Sequence, residues 1–386
     1  MSTDIPLTPF VHIPLLALFL MRIIHLSYNY VPEYTDPEVW LKRISFSTGV
    51  LESMARYAEV LGIYNINYNG VLHKKEVTYH FAKYNRWELL FPIQFNQYIK
   101  NLRPDVVVVH GLIFPWQVIM LQWQVGRKLK IIAQHHAEKP LRDVRQYIQR
   151  WADRYILAYL FCSFDLGQPW VERGQIRAKK KIKEIMGTSS PFFAMEKEIA
   201  KARTNVIGDP VFLWVGGLDT NKDPLLVVRA FIRFLKINPS AKLYMIYQTF
   251  QLLNELQYVI DSTPGTSESI FLVGKVDNDQ LLYWYNSGDF IISSSHYEGS
   301  GIAVCEGLSC GCIPILTDIP SFRMMTGQGR IGLLYKAGDQ DALLTAFIAS
   351  QGINRLAEKR VVLEQFEKKL SFDANAKSIM EVVNAL

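Results

Sequence analysis

Cysteine is scarce in this 386-residue chain: Cys162, Cys305, Cys310 and Cys312 are all there is. Three of them fall within eight residues, with only His296 nearby, and no second cluster completes a zinc site of the Cys-pair type. The expectation is therefore reduced, packed thiols in a reducing compartment, with no metal site. Long apolar runs are also lacking. The densest, Ile5–Leu20, is broken by Pro6, Pro9, His12 and Pro14, short of the ~20 residues a membrane span needs. Asp4 is the only charge before it, and no small-residue cleavage site follows, so it does not read as a secretory signal. Residues 1–20 read as a disordered N-terminal extension, with a membrane-touching segment as the other reading. Charge of one sign is thin too. The balance of 42 Lys+Arg and 36 Asp+Glu gives +6, too small an excess to point to nucleic acid. A basic face toward an anionic substrate or lipid remains open. There is no low-complexity segment and no short-period repeat.

What is present is globular: 49% hydrophobic and 20% charged residues, which excludes extended disorder. The length suits about two domains. Unbroken apolar runs at Ile23–Leu26, Val106–Val109, Lys130–Ala133 and Tyr155–Leu160 read as strands buried on both faces. Helices are expected between them at Leu51–Leu61, Leu89–Asn101 and Ile119–Gly126. A second series begins near residue 210, with strands at Val211–Val215, Leu243–Tyr247, Ile270–Val273, Phe290–Ser293, Ile313–Leu316 and Gly332–Tyr335. Asp223 and Pro224 suit the cap and first turn of a helix whose apolar stripe runs through Leu226, Val227, Ala230, Phe231, Phe234 and Leu235.

This alternation predicts an α/β chain of two Rossmann-like, doubly wound domains facing a cleft. The expected division is 1–20 for the extension, 21–205 for the first domain and 206–370 for the second. Residues 371–386 read as a C-terminal helix that crosses back to the first domain.

Ligands of doubly wound sheets bind beyond the carboxyl ends of the strands. Polar or Gly-rich turns sit at several such ends: His110-Gly111, His135-His136, Gly216-Gly217, Gly274-Lys275 and Glu298-Gly299-Ser300-Gly301. In the last, a strand enters a small turn and a helix opens near Ile302. Unpaired backbone N–H groups at a helix start suit a phosphate. Glu298 and Glu306, eight residues apart, are placed to accept hydrogen bonds from sugar or ribose hydroxyls. Glu306 is equally explained as a first-turn carboxylate favoured by the helix dipole.

Tyr297 to Gly311 resembles the E-x7-E segment of retaining GT-B glycosyltransferases, family 4 (glycosyl transferases group 1). The likeness continues through Cys312–Asp318, Gly332–Tyr335 and Gly338-Asp339. Upstream it includes Phe212–Pro224 and Phe271–Gly274. In the first half it covers only Pro104–His110 and the strand ending at His136.

The resemblance implies transfer of a sugar from a nucleotide-diphosphate-sugar, with retention, to a glycan or lipid-linked acceptor in cell-surface polysaccharide biosynthesis. It implies that Glu306 holds the ribose, that Glu298 contacts the donor sugar, and that Gly299, Ser300, Gly301 and Ile302 meet sugar and diphosphate oxygens. His136 would line the acceptor side as a catalytic residue, with His135, His110 and Gly49 as neighbours. Gly49 stands where the family often has a Gly-rich loop. Of the family's R-x4-K pair, Lys222 is present, but Gly217 stands at the Arg position. Arg323 or Lys275 is the expected substitute for that charge.

No cofactor or metal is implied, because the leaving diphosphate itself takes the acceptor's proton. Asp277-Asn278-Asp279 looks like a DxD metal motif but opens a helix, where capping explains it.

The other readings are an inverting GT-B transferase, a sugar-nucleotide epimerase, or a sugar-binding protein without turnover. The location implied is cytoplasmic, with peripheral contact at the inner face of the membrane. Two features suit that contact, the basic run Arg177–Lys183 and the aromatic stretch Phe114–Trp123. A solvated loop and a core helix explain them as well. The sequence leaves the oligomeric state open.

Overall fold

The computed structural model describes residues 21–386, so the expectations for residues 1–20 lie outside it. The first half begins with β1 (Arg22–Val31), α1 (Pro37–Arg43) and α2 (Ser45–Met54). It continues with β2 (Glu59–Ile66), β3 (Gly70–Lys74), β4 (Val77–Ala82), α3 (Arg86–Leu90) and α4 (Ile93–Asn101). Strands and helices then alternate: β5 (Val106–His110), α5 (Pro115–Val125), β6 (Lys130–Gln134), α6 (Arg145–Ala152), β7 (Ile156–Phe161), α7 (Phe164–Glu172) and β8 (Ile182–Glu184). The sheet order is β3-β4-β2-β1-β5-β6-β7-β8, and only the β3–β4 pairing is antiparallel. Its central strands carry unbroken Val and Ile runs because helices cover both faces.

The second half opens with α8 (Lys197–Thr204), β9 (Val211–Gly216), α9 (Pro224–Leu235), β10 (Lys242–Tyr247), α10 (Leu253–Asp261), β11 (Ile270–Gly274) and α11 (Asn278–Ser287). It continues with β12 (Phe290–Ser293), α12 (Ile302–Ser309), β13 (Ile313–Thr317), α13 (Pro320–Met325), β14 (Leu333–Tyr335) and α14 (Gln340–Ser350). All its pairings are parallel, in the order β11-β10-β9-β12-β13-β14. This is the doubly wound order, which reverses between β9 and β12; the first sheet reverses between β1 and β5. Each reversal leaves a crevice at the carboxyl ends of the strands. Asp223 caps α9 through the amide of Leu226, with Pro224 in its first turn.

The structure differs from the sequence expectations at four places. Leu51–Leu61 is not one helix: α2 ends at Met54, and the run Val60–Ile63 lies buried in β2 between β1 and β4. A short apolar run fits either state until its neighbours are known. Leu89–Asn101 is split at Pro92, since the residue before a proline is pushed out of the helical region. The β3–β4 pair was not expected. Finally, the changeover between sheets falls within residues 185–196 rather than at 205. α8 already packs on α11, with Lys197 Nζ 2.5 Å from Asp289 Oδ1 and the hydroxyls of Thr204 and Ser287 2.8 Å apart.

After α15 (Arg355–Lys369), α16 (Phe372–Asn384) returns to pack on α2 of the first half. Ala376, Ile379 and Val383 are buried there with Val50 and Met54, and Asp373 accepts from Ser53 Oγ at 2.7 Å. All four cysteines are buried as free thiols. Among the described residues, no helix is long and apolar enough to cross a membrane.

Candidate active site

The β12–α12 turn is shaped by two glycines. Gly301 sits at the start of α12 with φ +57°, a left-handed conformation that a side chain disfavours. Gly299 lies against the loop after β6. A Cβ there would come within 2.7 Å of the Ala137 amide nitrogen. No side chain caps α12, so its first amides are left for a ligand. Ser300 and Ile302 are half-buried beside them.

Glu298 is already engaged: Lys222 Nζ donates to its Oε1. Lys222 is aimed there from the β9–α9 loop, its own amide bonded to Asp219 Oδ1 at 2.9 Å. The carboxylate that would face a donor sugar and the cation that would face a diphosphate thus form one pair.

Glu306, about one turn into α12, accepts a hydrogen bond from Tyr285 Oη on α11 at 2.8 Å. Burial pushes its carboxyl up to about 7, against the pull of the Tyr285 bond and of the Arg43 guanidinium at the end of α1. The same region is bridged by Lys42 Nζ to Asp279 Oδ2 at 2.8 Å. Asp279 is therefore an ion-pair partner in the first turn of α11, and Asp277 stands at its N-cap position. Neither closes a strand, as a DxD motif would.

Across the cleft, three imidazoles form a chain. His25 Nδ1 on β1 is 3.0 Å from His110 Nε2 at the end of β5. His110 Nδ1 is 3.0 Å from His136 Nε2. Burial lowers His25 to about 3 and His110 well below the ordinary histidine value, so both are neutral. Desolvation within the cleft lowers His136 as well, against the pull of Glu138. The Glu138 carboxylate pins the arrangement by accepting from the amides of His136 (2.6 Å) and Leu112 (3.1 Å). His110, His136 and Glu138 border a cavity of about 300 Å³ that also takes in Trp40, Ile44 and Tyr64. The two halves touch beside it, where Tyr297 Oη donates to the Glu138 carbonyl at 3.4 Å.

Several expected site residues lie elsewhere. His135 points into the core, stacked on Phe161 at 4.6 Å with Nε2 2.8 Å from the Glu138 carbonyl oxygen, because strand alternation sends its neighbour His136 into the cleft. Gly49 lies inside α2 beneath Phe372, where a Cβ would come within 2.5 Å of the ring. It serves packing against α16, not a diphosphate loop. Arg323 is held by Asp318, with Nη2 at 3.0 Å from Oδ2, so its charge is already matched.

Gly217 is beside the site, and a Cβ there would meet only the tips of Asp219 and Thr249, both at 2.9 Å. Gly274 ends β11 with φ +82° and open space around it, and Lys275 beyond is exposed. Sequence reading missed His25, Glu138, Tyr285 and Arg43. Of these, only His25 carried a signal, as the lone polar residue in the run Ile23–Leu26.

A family model, Glycosyl transferases group 1, matches residues 196–368. The sequence is 23% identical over 247 residues to the GDP-mannose:cellobiosyl-diphosphopolyprenol alpha-mannosyltransferase of Xanthomonas oryzae pv. oryzae, a match covering 60% of each chain. The alignment thus spans less than two thirds of that relative. The fold is similar to the sucrose-phosphate synthase of Thermosynechococcus elongatus, with a TM-score of 0.70 at 15% identity over 95% of this chain and 98% of that one. It is also similar to Anabaena HepE solved in complex with UDP, with a TM-score of 0.69 at 12% identity over 95% of this chain and 100% of that one. The chain has the GT-B fold of glycosyltransferases. In its second half, residues 196–368 are similar to the group 1 glycosyltransferase domain.

Proposed function

We propose that the protein transfers a sugar from a nucleotide-diphosphate-sugar to a glycan or lipid-linked acceptor, with retention, in the assembly of a cell-surface polysaccharide. The observation that carries this reading is the Lys222–Glu298 pair beside the uncapped start of α12, in a turn whose Gly299 packs against the His136–Ala137 backbone. A cation and a row of free amides suit a diphosphate, and Glu306 suits the ribose. The group 1 match and the name of the GDP-mannose-dependent relative support the donor class.

Retention is what the resemblance of the Glu298–Glu306 segment implies. Glu298 is bonded to Lys222. In this reading the departing diphosphate takes the acceptor's proton, while the enzyme positions both substrates and stabilises the developing negative charge. Lys222 and the α12 amides supply that stabilisation without a metal, so turnover is expected to survive EDTA.

Gly217 favours a second reading, a nucleotide-sugar binder with little turnover, since it removes one diphosphate cation. A panel of UDP- and GDP-sugars tests both. Thermal stabilisation by one of them, with slow release of free sugar of the donor's anomeric configuration, supports the transferase. Stabilisation without any release supports the binder. No stabilisation by any nucleotide-sugar rejects both.

A further inference from the structure

Two side chains in the wall of the cavity beside His136 carry polar atoms with no partner among the described residues. Asn65, near the end of β2, is only 2% exposed. Its Nδ2 donates to the Ser27 carbonyl at 2.9 Å, which fixes the amide and leaves Oδ1 without a donor. Trp40, on α1, buries its ring N–H without an acceptor. Both residues line the cavity of about 300 Å³. Buried polar groups are nearly always hydrogen-bonded, so an unpaired acceptor and an unpaired donor in one wall call for an explanation. Hydroxyl groups of a ligand, which both donate and accept, would satisfy the two together.

The rest of the wall says what carries those hydroxyls. Trp40, Ile44, Phe46 and Tyr64 supply apolar surface. The Trp40 ring is held edge-on against Tyr34 at 4.9 Å and Tyr64 at 6.1 Å. Ser27, Ser47 and His136 add polar groups. Aromatic surface for C–H faces, with a few placed polar atoms for hydroxyl edges, suits a sugar ring. The volume lies at the small end for ligand pockets, enough for one ring and not for a chain of them. Gly299 of the donor-side turn packs on the His136–Ala137 backbone, so the cavity adjoins that turn.

The charge around the cavity narrows the ligand further. Among the described residues that line it there is no lysine or arginine. Burial keeps the His110 imidazole uncharged. The one carboxylate, Glu138, is committed to the amides of His136 and Leu112. A ring bearing a carboxylate or a phosphate would be desolvated beside Glu138 with no cation to pair it. The cavity therefore rejects by charge as well as selecting by shape.

We propose that this cavity seats one uncharged sugar ring of the acceptor and that Asn65 and Trp40 are specificity-determining residues. One hydroxyl of the ring donates to Asn65 Oδ1, and Trp40 Nε1 donates to an oxygen of the same ring. Naming that ring the acceptor rests on the transferase reading; recognition of a neutral sugar does not.

The test is saturation-transfer NMR on the full chain with the methyl glycosides of glucose, galactose and mannose, each beside its uronic-acid counterpart. At least one neutral glycoside is expected to bind, and its uronate to bind about tenfold more weakly or not at all. Trp40→Phe keeps an aromatic ring and removes the N–H. Asn65→Leu removes the oxygen and, with it, the bond to Ser27. Each should weaken binding of the neutral glycoside about tenfold. Trp40→Phe breaks no hydrogen bond within the protein, so its thermal midpoint should hold, and it carries the test if Asn65→Leu fails to fold. Absence of binding by all three neutral glycosides overturns the proposal. So does a uronate that binds as well as its neutral parent, or a folded Trp40→Phe that binds as the wild type does. Glycoside binding without stabilisation by any nucleotide-sugar would instead strike the transferase reading and leave the sugar cavity standing.

Discussion

His110 Nδ1 lies 3.0 Å from His136 Nε2, and the other nitrogen of His110 meets His25 Nδ1 at the same distance. Each contact needs one protonated and one bare nitrogen. His25 Nε2 is buried without a partner. A buried orphan N–H is rarer than a buried orphan acceptor, so the His25 proton belongs on Nδ1. His110 then accepts at Nε2 and donates from Nδ1, which leaves His136 with its proton on Nδ1. His110 is thus a positioning residue that holds His136 in one tautomer.

Replacing His110 should therefore show in the pH profile more than at the optimum. In the wild type, His136 titrates below the ordinary histidine value. In His110→Phe, Nε2 of His136 loses the hydrogen bond donated to its bare form, so its pKa should rise, while burial still holds it below the ordinary histidine value. The variant-to-wild-type ratio of kcat/KM should fall as pH drops from 8 to 6. A constant ratio across that range would assign His110 a purely structural role.

Glu306 predicts a pH dependence of donor binding. Its carboxyl, raised to about 7 by burial, must be ionised to accept ribose hydroxyls fully. Nucleotide-sugar affinity should rise with pH through 7, while Glu306→Gln should bind weakly with a flat profile. The same shift bears on stability. A raised folded-state value means that the native state holds the proton longer than the unfolded chain. Ionising Glu306 therefore destabilises the free protein between the unfolded value of ~4.3 and about 7, and the loss is complete above it. Isothermal titration and urea melts across pH 4 to 8 check the two effects.

Lys222→Ala removes the partner of Glu298 and a diphosphate cation together. A charged hydrogen bond contributes roughly 1.5–3 kcal/mol. The expected loss in kcat/KM is therefore about 10- to 150-fold. Full activity in that variant would take Lys222 out of the site. The converse change, Gly217→Arg, brings a Cβ within 2.9 Å of Asp219 and Thr249, so those two side chains must shift to admit it. It should tighten nucleotide-sugar binding by about tenfold if the missing cation limits affinity. An unchanged KM would show that the charge is supplied by another group.

At Gly49 the expected effect is on stability alone. Gly49→Val drives a branched side chain into the Phe372 ring and displaces α16 from α2. Overpacking of this kind costs about 1–3 kcal/mol. The thermal midpoint should fall while KM for the nucleotide-sugar is unchanged. A KM shift without a change in midpoint would return Gly49 to the site.

The second sheet and the Glu298-to-Glu306 turn and helix were legible in the sequence because they are local. A strand, a Gly-rich turn and a helix start follow one another within about twenty residues, and spacing alone places both carboxylates near the α12 N-terminus. Lys222 was legible only through resemblance to the family motif. His136 was separable from His135 in principle by strand alternation, but which of the two faced the cleft needed the sheet.

The pairs that define the chemistry of the site join residues far apart in the chain. His25 meets His110 across 85 residues, Lys222 meets Glu298 across 76, and Tyr285 on α11 meets Glu306 on α12 across 21. Arg323 was expected to be free until Asp318 was seen holding it, and Gly49 looked like a loop residue until α16 covered it. Apolar periodicity and turn chemistry act along the chain, so the sequence by itself determined two doubly wound halves and one phosphate-suited helix start. Burial and charge pairing act through space. The protonation states of Glu306 and the three histidines, and the covering of α2 by the C-terminal helix, were therefore decided only when the two sheets closed on each other.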